Sequence, residues 1–314
     1  MKSIFPYVTY DVELSIVAIA KYEARYIKEW VDYHLLQGVG RIYLYDNDSP
    51  DEMKKILEPY IQSGKVIYTF FPGKGRQLDA YNDAIRRFKY QSKYMAFLDC
   101  DEFLVPESST MSLVETVKYL MRTSLRCAGI AVNWRMYGSS GYVTAPNGYV
   151  SESYLFRGNG DAKGSDCIKT IANPRLIREY RHVHYPTYYR GFFSVNDEGV
   201  RCDGPFNRCK ETKHVRINHY FTKSKEEWIE RRSRGKADTT DCNDKRALNE
   251  FYEHDHNDIY DPIMLPYVKM IKQSVNMCRT KMNADAAKKV PKQLKCMPEI
   301  CCKEWTKNDS GRKK

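Results

Sequence analysis

The 314-residue sequence has no run of about 18 apolar residues, so no membrane-spanning helix is expected. Its opening, MKSIFPYVTYDVELSIVAIAKYE, is not expected to be a secretory leader. One early Lys is followed by Pro6, Asp11 and Glu13 where an apolar centre would have to lie. No G-x-x-x-x-G-K-[ST] pattern occurs, which excludes a P-loop, and no internal repeat is visible. The ten cysteines are irregularly spaced, and no C-x2-C pair faces a second such pair or a His pair. Free thiols are therefore expected rather than a disulfide framework or a structural zinc site, although Cys202, Cys209 and His214 are close in sequence. Tryptophan is scarce at 4 copies, but tyrosine reaches 25. A phenol offers both a stacking face and a hydroxyl, a pairing suited to sugar and nucleotide sites.

Charge is unevenly spread. Of the net +11, residues 269–314 hold +9, from 13 Lys and Arg against 4 Asp and Glu. Such a segment can sit on anionic lipid or on nucleic acid. No helix-turn-helix, zinc-finger or RNP pattern accompanies it, so no specific nucleic-acid partner is expected. The expected location is cytoplasmic, peripheral at an anionic membrane surface through 269–314.

The first hundred residues alternate strand and helix patterns. LSIVAIA (14–20), RIYLYDND (41–48), KVIYTFF (65–71) and YMAFLDCDEFLV (94–105) read as strands. Between them ARYIKEWVDYHLLQG (24–38), DEMKKILEPYIQSG (51–64) and RQLDAYNDAIRRFKYQ (76–91) read as helices, the first two closed by Gly38 and Gly64. This order predicts an α/β fold, with a mostly parallel central sheet flanked by helices and right-handed crossovers. Ligands of such sheets bind beyond the carboxyl ends of the strands. Lys21–Glu23, Asp46–Asp48, Phe71–Arg76 and Asp99–Glu102 should share that edge. Further on, a helix from Leu113 to Met121, strands at 127–134, 167–177 and 214–222, and helices at 224–238 and 264–279 are expected. Residues 137–170, with GSSG and GNGDAKGSD, read as a mobile loop region of the kind that forms lids.

Three stretches carry chemistry. Asp99-Cys100-Asp101-Glu102 ends the fourth strand, and carboxylates on alternate residues there can share a hard cation while phosphates complete its shell. Phosphatases with an Asp nucleophile use the same letters, but on a first strand and followed by Thr or Val. Asp46 and Asp48 can accept hydrogen bonds from a base or ribose, and also suit a plain turn. In PGKGRQLD, Gly73 and Gly75 let the backbone bend beside Lys74 and Arg76, at the start of the helix carrying Gln77 and Asp79, a natural phosphate neighbourhood.

Taken in order, these motifs resemble the family 92 glycosyltransferases and related family 2 enzymes. NWRMYGSSG (133–141), KTIANP (169–174), HVH (182–184) and NHYFTKSKEEWIERRSRG (218–235) extend the resemblance over residues 13–238. It implies a GT-A fold, with a Rossmann-like nucleotide-sugar half (12–106) and an acceptor half (107–268) in one domain, 1–268. It also implies a nucleotide-sugar donor, a UDP-sugar first, and inversion at the anomeric carbon. Asp99 and Asp101 would bind a divalent metal, Mn2+ or Mg2+, as a Lewis acid on the leaving diphosphate. Ala20, Lys21 and Glu23 would lie next to the nucleotide, Asp46 and Asp48 by the nucleoside, and Gln77 and Asp79 by the diphosphate. His184 and His219 are candidates to complete the metal site. An inverting transferase also needs one general base on the acceptor hydroxyl. Asp166 is the candidate, with Asp203 and Glu227 as alternatives, and Trp134 could stack on an acceptor sugar. The expected acceptor is a glycan, lipid-linked or protein-linked hydroxyl. The competing expectation is a non-catalytic protein of the same fold that binds a nucleotide-sugar or glycan.

Overall fold

Near-continuous Ile, Val, Ala, Leu and Tyr in the first strands mean that both faces of the sheet must be covered. In the computed structural model, which describes residues 9–283 apart from 109, 209–210 and 233–247, they are. Strands β1 (Val12–Ala20), β2 (Arg41–Asp46), β3 (Val66–Phe70) and β4 (Ser92–Phe97) alternate with helices α1 (Ile27–Leu36), α2 (Met53–Gln62) and α3 (Gln77–Phe88). The strands run parallel in the order β3-β2-β1-β4, with Ala18 beside Leu44 and Val17 beside Phe97. One face packs Ile16, Ala18 and Leu44 against Trp30, Val31 and Leu57. The other packs Val17, Tyr43 and Phe97 against Tyr81, Ile85 and Phe88.

The second half adds β5 (Glu102–Pro106), α4 (Leu113–Leu120), β6 (Cys127–Met136), α5 (Val150–Ser153), β7 (Phe156–Arg157) and β8 (Ile168–Ala172). Then come β9 (Ile177–His182), β10 (Tyr185–Tyr188), β11 (Phe193–Val195), β12 (Arg201–Cys202) and β13 (Val215–His219). The described chain closes with α6 (Lys225–Arg232), α7 (Leu248–His254), β14 (Ile259–Tyr260) and α8 (Leu265–Asn283). Strand β8 lies antiparallel between β4 and β6, and β13 bridges β6 and β5. The α/β class holds, with the parallel order confined to β1–β4 and to the pairs that β6 makes with β11 and β13. Helix α8 packs against α1 and α5 and buries Val268 and Ile271.

Three sequence expectations need correction. The fourth strand does not run to residue 105. It stops at Phe97, because Glu102 returns to accept the Asp99 N–H (2.9 Å) and donates its own to the Asp99 carbonyl (3.1 Å), closing a turn. The strand expected over 167–177 is two, β8 and β9, split at Asn173-Pro174, where Asn173 Oδ1 accepts the Arg175 N–H. The Gly-rich stretch after Tyr137 is pinned rather than free. Asp255 and Asn257 accept from the backbone of Ser139 and Ser140, and Asp261 pairs with Arg157 at 2.5 Å. Gly138 is required there, since a Cβ would stand 2.2 Å from the His256 carbonyl oxygen. The cysteines at 100, 127, 167 and 202 are free thiols. Gly235, with the end of the helix expected to 238, and the basic segment beyond 283 lie outside the described residues.

Candidate functional site

Because β1–β4 are parallel, their carboxyl ends meet at one edge. The loops there are laced together. The Asn47 N–H donates to the Ala20 carbonyl (2.8 Å), and its Nδ2 donates to the carbonyls of Phe71 (3.0 Å) and Gly73 (2.7 Å). Tyr22, at φ 58°, donates its N–H to Ser49 Oγ, and Asp51 Oδ2 accepts from Ala24. This holds Lys21 and Glu23 over the sheet edge. Asp46 is buried and accepts from Ser49 N–H and the Tyr68 hydroxyl, while Asp48 is exposed at φ 58°. Arg76 lies across the Phe71 ring and pairs with Asp79 at 2.8 Å. Gly73, at φ +127°, leaves room for that fold-back, since a Cβ would come within 2.9 Å of Arg76 Cδ.

The turn after β4 concentrates charge. Asp99 Oδ1 accepts from Gln77 Nε2 at 2.6 Å, and Asp99 Oδ2 lies 3.0 Å from Lys169 Nζ. Lys169 comes from β8, is 1% exposed, and also faces Glu102 Oε1 at 3.9 Å. Burial works against its charge, yet Asp99 and Glu102 outweigh it and hold the ammonium well above the usual lysine range. Burial pushes the Glu102 carboxyl well up, and Lys169 offsets only part of that. Asp101 is buried between Arg231 Nη2, 2.8 Å from Oδ2, and His219 Nε2, 3.5 Å from Oδ1. Burial raises its carboxyl, but Arg231 and His219 prevail and hold it well below the usual carboxylate range.

His184 and His219 flank Trp134, at ring-centre distances of 5.0 and 4.3 Å. Trp134 is buried, and these imidazoles cover it where stacking on an acceptor sugar was expected. His184 Nδ1 lies 2.8 Å from the Ile168 carbonyl, so it carries the proton and Nε2 keeps a lone pair. Burial, helped by Lys169, pushes His184 down to about 3, so it is neutral at pH 7.

Gln77 thus touches Asp99 and His219 touches Asp101, with His184 on the other side of Trp134 from His219. Asp46 is held by Ser49 and Tyr68 instead, and Arg76 and Asp79 pair with each other. Asp166 is exposed, three residues before Lys169. Asp203 is exposed and pairs with Arg201 at 2.7 Å. Glu227 is buried and accepts from the hydroxyls of Tyr26, Tyr154 and Ser224, which leaves it no role as a base. Sequence reasoning missed Lys169 and Arg231 as site residues. KTIANP and the ERR run held them, without any local sign that they meet Asp99 and Asp101.

The donor chemistry suits a divalent cation: two carboxylates, two imidazoles, and one buried ring nitrogen without a hydrogen bond, His219 Nδ1. Both carboxylates are engaged by cations of the protein itself. Among the described residues no three ligand-bearing side chains converge on one point.

The model of glycosyltransferase family 92 matches residues 12–249. A family 92 glycosyltransferase of Ricinus communis is 27% identical over 191 residues, covering 60% of this chain and 34% of that protein. A β-1,4-galactosyltransferase of Caenorhabditis elegans is 34% identical over 125 residues, 35% of this chain and 29% of the other. The chain therefore spans about a third of the length of these curated relatives. A solved structure of S. aureus TarS with UDP-GlcNAc aligns over 88% of this chain and 68% of that one, at 11% identity and a TM-score of 0.41.

Proposed function

The chain belongs to glycosyltransferase family 92, and from that premise we propose that it moves a sugar from a nucleotide-sugar, a UDP-sugar first, to an acceptor hydroxyl with inversion at the anomeric carbon. The galactosyltransferase relative makes galactose the first sugar to try. The observation that carries this reading is the carboxylate pair Asp99 and Asp101, set at the carboxyl edge of four parallel strands beside Gln77 and Lys169.

In this reading the acceptor oxygen attacks the anomeric carbon from the face opposite the diphosphate. The bond from that carbon to the diphosphate oxygen breaks, and a base removes the acceptor proton. Asp166 is the base we assign, on its exposure and its place just before β8. A divalent cation, Mn2+ or Mg2+, held by Asp99, Asp101 and the imidazole of His219 or His184, would supply Lewis-acid charge to the leaving diphosphate. Gln77 fixes the direction of Asp99, and Lys169 pairs with it from below. Asp46 and Asp48 are assigned to the nucleoside, Ala20, Lys21 and Glu23 to the nucleotide, and Arg76 and Asp79 to the diphosphate edge. The acceptor we propose is a glycan, lipid-linked or protein-linked hydroxyl. On the charge of 269–314 we place the protein at an anionic membrane surface on the cytoplasmic side, within one domain spanning 1–268.

A panel of nucleotide-sugars incubated with the protein and Mn2+ tests the reading, with free nucleotide as the signal. One donor should be consumed, and Asp101→Ala should slow release by about a hundredfold or more. Donor binding without any turnover, even with acceptors present, would instead mark a non-catalytic binder. No metal-dependent binding of any donor would reject the site.

A further inference from the structure

The two aspartates are neutralised in unequal ways. Lys169 stands on a central strand, 1% exposed and wedged between Asp99 and Glu102, so it has nowhere to go. Arg231 stands on the last turn of α6, and its side chain is 22% exposed. It holds Asp101 Oδ2 through Nη2, while Nη1 donates to the Phe221 carbonyl at 2.8 Å and the guanidinium lies over the Phe221 ring. A fixed ammonium is a counter-ion. A guanidinium on a partly exposed side chain, with a second anchor on Phe221, can keep that anchor and release the carboxylate.

We propose that Arg231 is an exchanging ligand of the donor diphosphate: it occupies Asp101 while the site is empty and swings to the phosphates when a divalent cation takes that carboxylate. This rests on the transferase reading above. A cation on Asp101 removes the attraction that holds Arg231 and adds repulsion. The diphosphate arriving with it offers oxygens that match the planar guanidinium fork. One arginine thus keeps the buried carboxylate compensated before the donor binds and neutralises leaving-group charge afterwards. Lys169 performs only the first of these tasks.

Competition and ligation pull measurable affinities in opposite directions. Mn2+ binding without nucleotide, followed by titration calorimetry or by the Mn2+ spin-resonance signal, should tighten about tenfold in Arg231→Gln, because the competing cation is gone. UDP binding in the presence of Mn2+ should weaken about tenfold in the same protein. Arg231→Lys guards against a folding defect. It keeps the charge and should bind Mn2+ like wild type, yet lose UDP affinity with the fork. A purely structural arginine would leave UDP affinity unchanged or weaken Mn2+ binding in Arg231→Gln, and either result overturns the exchange. Wild type that binds no UDP with Mn2+ would bring down the transferase reading itself, a different failure from wild-type binding that the variants do not alter.

Discussion

At the level of single residues, buried charge decides more here than exposed charge. His34 is fully buried on α1, donates from Nδ1 to the Trp30 carbonyl and accepts the Leu104 N–H on Nε2. Burial drives it down to about 3 from the usual 6.5. The unfolded chain therefore takes up a proton below pH 6.5 that the folded chain refuses until about pH 3. Stability from His34 is complete above pH 6.5 and declines as the pH falls through that window. Glu29, buried where it caps the backbone N–H groups of Val150 and Ser151, works the other way. Burial raises it to about 7, so between pH 7 and 4.5 the folded chain holds the extra proton and gains stability on acidification. The two trends mask one another in the wild type, so a variant must separate them. His34→Gln should be less stable than wild type at pH 7, and the gap should narrow by about 2 kcal/mol at pH 5, read from urea unfolding at both values. An unchanged gap would mean that His34 is not held neutral. Asp99 and Asp101 were legible in the sequence because an apolar strand ending in alternate acids is a local pattern. Lys169 was not, because its partners sit 70 residues upstream and only the β4–β8 pairing brings them together.

Among the elements, α6 shows how a helix end is tied to a site. Ser224 Oγ both donates to Glu227 Oε2 and accepts the Glu227 N–H, a cap that starts the helix. The same carboxylate accepts from Tyr26 at the start of α1 and from Tyr154 just after α5. Burial would raise Glu227, but the three hydroxyls prevail and keep it below its ordinary value. One charge thus holds three elements together, and α6 carries Arg231 to Asp101. Glu227→Gln keeps the shape but gives up charged acceptors, and should cost about 2 kcal/mol of stability. Equilibrium denaturation measures it, and a loss under about 0.5 kcal/mol would show that the hydroxyls find other partners. The strong periodic elements, α1, α2, α3 and β1 to β3, were legible because 3.6-residue spacing and apolar runs are set by burial on the sheet. The 137–170 stretch was read as mobile because its pinning contacts come from Asp255, Asn257 and Asp261, about a hundred residues further on.

For the whole molecule, alternating strands and helices announced the parallel half, while the far half rests on pairings that cross the chain, β13 with β5 and β11 with β6. Such pairs leave no local trace, and short strands such as β7 and β14 carry too few residues for a period. Charge, unlike topology, is additive and can be read directly. Residues 1–268 are nearly balanced, so any long-range field of the protein comes from 269–314, at net +9. A basic segment near an anionic surface contributes about 1 kcal/mol per Lys or Arg, and the attraction dies within a Debye length, about 10 Å at 0.1 M salt. Binding by charge alone must therefore be steeply salt-dependent and must follow the segment's net charge. Co-sedimentation with phosphatidylserine-rich vesicles should be strong at low salt and absent from vesicles of neutral lipid. Replacing Lys288, Lys289, Lys292 and Lys295 with Glu takes the segment from +9 to +1 and should release the protein. Binding that survived this change, or that ignored salt, would move the contact to the folded domain. In that case the basic segment would not be what brings a lipid-linked acceptor to the carboxylate edge.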